Sequence, residues 1–219
     1  AGALVVGGYS PYGGVDGFTK AFLERYDLDG YYIDQAHPYV CDRESAGVGY
    51  EWDGKRYYTY PLFGYRSLYR RMYSVVKALP RDTFTLAHMS AKMNISSMAY
   101  VDACLDGEWP FAPLVRHKSY MEVMAMDNFR AMFMGRQWGV AMVFLPEFRG
   151  EREKLIEPTR ELLGLLMVHD VAVCRLFCNR KVVDETHRAL DDFGYADADF
   201  IPYFDAVPPA MTDMPEVYI

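Results

Sequence analysis

Short apolar runs of strand length alternate along this chain with segments whose apolar residues recur at helical spacing, and this alternation limits the architecture most. Strands separated by helices are expected to pair in parallel, with the helices packed over them. The pattern predicts strands at Leu4–Val6, Tyr31–Asp34, Phe84–His88, Met98–Cys104, Val140–Leu145, Val171–Phe177 and Phe200–Phe204. Helices are predicted at Val15–Tyr26, Tyr65–Leu79, Tyr120–Met134, Pro158–Val168 and Lys181–Phe193. The second helix carries Leu68, Met72, Val75, Val76 and Leu79 on one face and ends at Pro80, which cannot continue it.

A closed eight-stranded α/β barrel takes about 250 residues. A chain of 219 residues is therefore read as a (β/α)8 TIM-type barrel lacking one or two N-terminal β/α units. The barrel domain spans residues 1–205, and residues 206–219 form a Pro-rich tail or linker. The competing open doubly wound sheet calls for a Gly-rich phosphate turn after its first strand, and Gly7-Gly8-Tyr9-Ser10-Pro11 matches that turn poorly. The long connection from Gln35 to about Gly64 is expected to overhang a site.

With 51% hydrophobic and 24% charged residues the chain can bury one sizeable core. Its 18 Tyr, 13 Phe and 3 Trp suit a sugar-binding cleft, but equally a Tyr-rich surface over a Phe-rich core. A net charge of −7 argues against a nucleic-acid partner, and Arg66, Arg70 and Arg71 read as a solvated helix face. Cys41, Cys104, Cys174 and Cys178 form neither a disulfide framework nor a paired zinc motif, and Cys174 and Cys178, four apart, are expected as buried thiols. No apolar window is long enough to span a membrane. Because the chain starts at Ala1 without a methionine, it reads as an excised segment with a missing N-terminal portion or a neighbouring β-rich domain, and its compartment is not legible.

In parallel β/α architecture reacting side chains sit at the C-terminal ends of strands. That filter selects Asp34, His88, Ser90, Asp102, Asp106, Glu108, Glu147 and Asn179. Glycosidic hydrolysis needs paired carboxyl groups. Asp106 and Glu108 are two apart, so in an extended segment they share a side, with Gly107 allowing close backbone approach. The same residues also read as a solvated turn. Trp109 would supply an aromatic platform beside them. Asp34 and His37 lie in a cluster with Gln35 and Tyr39 that can hydrogen-bond several hydroxyls, and His88, Asp102 and Glu147 complete the expected substrate-binding set. His117, His169 and His187 are scattered, so no metal is implied, and no motif calls for a cofactor. There is no Gly-x-Ser-x-Gly elbow, and the Met-rich stretch from Met121 to Met134 reads as core packing.

Three stretches, Asp29 to Asp34, Leu105 to Glu108 and Phe129 to Val140, together resemble the catalytic barrel of the glycoside hydrolase family 123-like proteins of bacteria. The resemblance runs from about Gly30 to Tyr203 and is most specific at Gly135-Arg136-Gln137-Trp138-Gly139. It implies a β-N-acetylgalactosaminidase-like enzyme using the acetamido oxygen of its own substrate. Glu108 would be the general acid, and Asp106 would orient the acetamido group. Those enzymes carry the acidic pair adjacent, whereas Gly107 separates it here. The resemblance would also place the protein outside the cell or in a periplasm. The alternative is a non-catalytic carbohydrate-binding or structural subunit, built from a truncated barrel within a larger assembly.

Overall fold

A computed structural model describes residues 3–6, 15–42, 44, 47–108, 119–134 and 138–203. The chain divides into two compact units, Ala1–Leu105 and Asp106–Ile219.

The first unit holds β1 (Ala3–Val6), α1 (Val15–Tyr26), β2 (Gly30–Ile33), β3 (Tyr50–Trp52), β4 (Lys55–Tyr57), α2 (Leu62–Lys77), β5 (Phe84–His88), α3 (Ile95–Met98) and most of β6 (Ala103–Asp106). β1, β2, β5 and β6 lie side by side in that order, and every pairing is parallel. The register sets Gly30 against Phe84 and His88 against Leu105. Only glycine fits at position 30, because a Cβ there would stand 1.6 Å from the Phe84 carbonyl oxygen. Tyr31 and Ile33 of β2, Leu23 of α1, and Tyr69, Met72 and Val76 of α2 form the core. The opposite face of α2 leaves Arg66, Arg70 and Arg71 exposed.

The second unit contains a short 3-10 turn (Tyr120–Glu122), α4 (Met126–Phe133), β7 (Ala141–Phe144), α5 (Ile156–Met167), β8 (Ala172–Val173) and α6 (Arg180–Phe193). β7 and β8 are parallel, with Val143 opposite Ala172. Phe129, Phe133, Phe144, Tyr120 and Phe148 form a chain of ring contacts, with centroids 4.9–5.3 Å apart between successive rings. The leucines Leu162, Leu163, Leu165 and Leu166 of α5 are buried as well. α6 is bounded at both ends: Asn179 accepts from the Val182 amide at its start, and Gly194 closes it in a left-handed conformation.

Both units therefore show the mixed α/β architecture with parallel strands that the alternation predicts. The element limits differ where local chemistry overrides the pattern. The stretch read as one long connection contains the β3–β4 hairpin, whose Asp53-Gly54 turn has both φ angles positive, at 48° and 68°. That is the geometry of a type I′ turn. The strand predicted at Met98–Cys104 begins only at Ala103, because the Asn94 side chain caps a helix by accepting from the Ser97 amide at 3.0 Å. The helix predicted over Tyr120–Met134 is split by Val123–Ala125, and the strand predicted over Val171–Phe177 is confined to Ala172–Val173. Residues 200–203 are not strand. Phe204 and the tail lie outside the described residues. Cys41, Cys104, Cys174 and Cys178 are free thiols; Cys178 is buried as expected and so is Cys104, whereas Cys174 is only half-buried. Among the described residues no helix is long and apolar enough to cross a membrane.

Candidate active site

β6 ends at Asp106, whose side chain is wholly buried. One of its carboxylate oxygens accepts from the Gly107 amide at 2.8 Å, and its carbonyl accepts from the Leu145 amide at 2.7 Å. Gly107 has φ +131°, and a Cβ on it would meet the Leu145 carbonyl oxygen at 2.6 Å. This residue thus lets the chain turn tightly against the segment after β7, and it aims Glu108 out of the strand.

Glu108 forms a side-chain hydrogen bond with Glu147, which follows β7 and is 3% exposed. Two carboxyl groups can bond to each other only if one retains a proton. The surroundings favour that state. Burial raises the pKa of Glu147, the contact with Glu108 raises it further, and Arg149 opposes both by donating to Glu147 Oε2 at 2.5 Å. The Arg149 side chain is 67% exposed, so the buried carboxyl reaches solvent through its counter-ion. From the other side the Tyr120 hydroxyl accepts from the Glu147 amide at 2.5 Å, fixing the backbone that carries the pair. Burial pushes the Tyr120 phenol well above its ordinary pKa, so it stays a neutral hydrogen-bonding group. A proton shared between two carboxyl groups, with a cation on one edge, is held more tightly than on a lone glutamate and can be passed to or from a third group.

The first unit gathers a different set. Asp34, immediately after β2, accepts from the Gln35 amide at 2.9 Å and from the Tyr32 hydroxyl at 3.2 Å. It also stands 3.1 Å from Nδ1 of His88, the last residue of β5, and that nitrogen is 2.9 Å from the Tyr32 hydroxyl. Gln35, Ser90 and Ala91 adjoin these strand ends with φ of 49°, 50° and 61°, the left-handed region that non-glycine residues rarely adopt. His37 is buried, with Nε2 3.2 Å from Lys92 Nζ, and the Lys92 ammonium lies over the Tyr39 ring. Burial lowers the His37 pKa and the Lys92 charge lowers it further, so this imidazole is neutral and accepts from the ammonium.

Of the side chains expected at a site, the structure brings Glu108 together with Glu147, and Asp34 together with His88. Asp102 is set apart. It precedes β6 instead of ending a strand, and it accepts from the Thr85 amide, the Thr85 hydroxyl, Lys77 and Tyr73 at 2.8–3.2 Å. Burial alone would raise its pKa, but the Lys77 and Thr85 hydrogen bonds outweigh that and hold it below the usual carboxylate range. Trp109 and residues 135–137 lie outside the described residues. Tyr32, Lys92, Tyr120 and Arg149 were not anticipated. Tyr32 was within reach of the sequence, since it lies two residues before Asp34 on the same side of an extended segment, and Arg149 bears the same spacing to Glu147. Nothing local marks Tyr120. Among the described residues no group of three or more His, Cys, Asp or Glu side chains is placed to hold a metal ion.

No family model matches the chain, and no curated protein matches it. Among solved structures it is similar to a "putative lyase/mutase" from Burkholderia cenocepacia J2315, at 13% identity and a TM-score of 0.34. The match covers 90% of this chain and 63% of that one, so the chain spans less than two thirds of that protein's length. A likeness this distant carries no argument about activity. These findings correct the glycoside hydrolase family 123 resemblance. The stretches that suggested it find no glycoside hydrolase family. The N-acetylhexosaminide cleavage, the carbohydrate substrate and the carbohydrate-binding alternative lose their ground with it.

Proposed function

We propose that the second unit carries an acid–base site in which Glu108 and Glu147 share one proton, and that the protein is an enzyme transferring protons to or from a small polar substrate. The observation that carries this reading is the hydrogen bond between the Glu108 carboxyl and the buried Glu147 carboxyl. Glu147 is the proton-holding partner, and Glu108, only partly buried, is the group that exchanges with substrate. Arg149 keeps the pair from being protonated twice. Asp106 acts as a positioning residue, through the Gly107 amide it holds.

The Asp34, Tyr32 and His88 cluster, with His37 beside Lys92, is proposed as a polar binding site of the first unit. Its support is the left-handed backbone at Gln35, Ser90 and Ala91, the kind of conformation that concentrates at functional sites. Barrel closure over residues 1–205, with 206–219 as a tail, is also kept as a proposal. It is supported by parallel strands joined through helices within each unit.

Carboxyl-carbon NMR titration of the intact chain tests the pair directly. One carboxyl is expected to titrate well above the ordinary glutamate range, and Glu108→Gln is expected to remove that elevated step. A Glu147 titration unmoved by Glu108→Gln would refute the shared proton. Catalysis is tested by following deuterium uptake from D2O into a panel of small hydroxy and oxo acids. Exchange should fall by about 10²-fold or more in Glu108→Gln.

A further inference from the structure

We propose that the concavity at the start of α6 binds a phosphate group, whether free or as the monoester of a small molecule. The inference does not rest on the acid–base pair. The cavity, of about 420 Å³, is lined by Arg152, Arg160, Arg180 and Lys181 together with the buried Asn179. Its size falls in the range of small-molecule sites.

Four cations converge here in a protein of net charge −7, and they are incompletely neutralised. Arg160 pairs with Glu157 at 2.8 Å, and Lys181 reaches Glu185 at 3.8 Å. Arg152 and Arg180 form no ion pair among the described residues. Glu153 and Glu185 also line the wall, so the side chains lining the cavity leave a surplus of two positive charges. Arg152 is held in place from below, because its guanidinium sits 5.5 Å over the Phe177 ring. Phe177 has φ 56°, an uncommon conformation for so bulky a residue.

The backbone adds charge of the same sign. α6 is a 14-residue helix with no acidic residue in its first turn. Acidic side chains normally occupy that turn, where the amide dipoles add up to a partial positive charge. Here Arg180 and Lys181 occupy it, so helix and side chains add positive charge of the same sign at one place. Asn179 satisfies the Val182 amide, while helix geometry leaves the amides of Arg180 and Lys181 without an intrahelical acceptor. A doubly charged, multi-oxygen anion reverses each of these costs at once. It can accept from two guanidinium groups and from the first-turn amides in a way that a single carboxylate or chloride cannot match.

The test titrates the full chain with inorganic phosphate and, separately, with glycerol phosphate, following backbone amide shifts by 15N NMR at low salt. Saturable shifts at Arg180, Lys181 and Val182 in the millimolar range or tighter are expected, with chloride at matched ionic strength giving none. The Arg152→Gln/Arg180→Gln double variant should weaken binding about tenfold or more. Arg188→Gln, further along the same helix, should leave it unchanged. Tighter binding of the monoester would identify a phosphorylated small molecule as the ligand, and equal binding would identify free phosphate. Shifts that chloride reproduces, or a double variant that binds as well as the parent with its thermal melt unchanged, would overturn the proposal.

Discussion

Two glycines carry most of what is special about the backbone near Asp106 and in the hairpin, and they do so for different reasons. At Gly107 both conformation and space exclude a side chain, because φ is +131° and a Cβ would stand 2.6 Å from a carbonyl oxygen. At Gly54 only conformation matters, since φ is +68° and nothing lies within 4 Å of the added carbon. Gly107→Ala is therefore expected to cost about 2–4 kcal/mol in urea unfolding, and Gly54→Ala about 1 kcal/mol. Equal losses would mean that the backbone around Leu145 gives way readily. The clash at Gly107 could not be read from the chain beforehand. Asp-Gly looks alike at both places, and what distinguishes them is whether a segment distant in sequence, here Leu145, passes close by.

At the scale of elements, Asn179 joins three segments. It caps α6 by accepting from the Val182 amide, donates its side-chain amide to the Arg152 and Glu153 carbonyls at 3.1 and 3.2 Å, and donates its backbone amide to the Thr159 hydroxyl oxygen at 3.0 Å. Asn179→Ala should lower stability by about 2 kcal/mol, read from the denaturation midpoint. Asn179→Asp should recover only part of this, because it keeps the cap but lacks the amide donor. The extents of α1 and β5 were legible as runs of helix and strand length, although in β5 the buried side chains are Thr85, Ala87 and His88 and not Phe84. The hairpin was not. Every residue of β3 and β4 is exposed, so no alternation between a buried and a solvated face is imprinted on Tyr50–Tyr57, and the Asp53-Gly54 turn was the one signal available. β8 was overestimated for the opposite reason: Val171 to Phe177 is apolar enough to be strand, but the ladder stops at Val173 opposite Phe144, the last residue of β7.

For the molecule as a whole, opposite pKa shifts in the two units shape the dependence of stability on pH. Glu147 has its folded pKa raised, so its proton is held more tightly in the folded chain than in the unfolded one. Stability is lost as pH rises from the ordinary glutamate value, about 4.3, through the folded value. Asp102 has its folded pKa lowered, so its contribution is present above about 3.9 and disappears as pH falls through the folded value. Urea midpoints measured across pH should therefore decline on both sides. Glu147→Gln should flatten the limb at higher pH, and Asp102→Asn the acid limb. An unchanged profile in Glu147→Gln would mean that the carboxyl pair does not hold its proton. The α/β class was legible from alternation alone, because it needs only local periods. The pairing of Glu108 with Glu147 was not, because it depends on the register of chain segments far apart in sequence.

The two Asp-Gly dipeptides should also age at different speeds. An aspartyl side chain followed by glycine can be attacked by the next amide nitrogen, closing a succinimide that reopens mainly to isoaspartate and so reroutes the main chain through the β-carbon. Asp53-Gly54 sits in a solvent-exposed turn with room to adopt the required geometry. At Asp106 the Gly107 amide is instead held by a hydrogen bond to the carboxylate oxygen, inside a segment that has no space to rearrange. After prolonged storage at neutral pH, peptide mapping should find isoaspartate at position 53 and almost none at 106. Chemical wear would then mark the hairpin long before it reached the residues proposed to do the work.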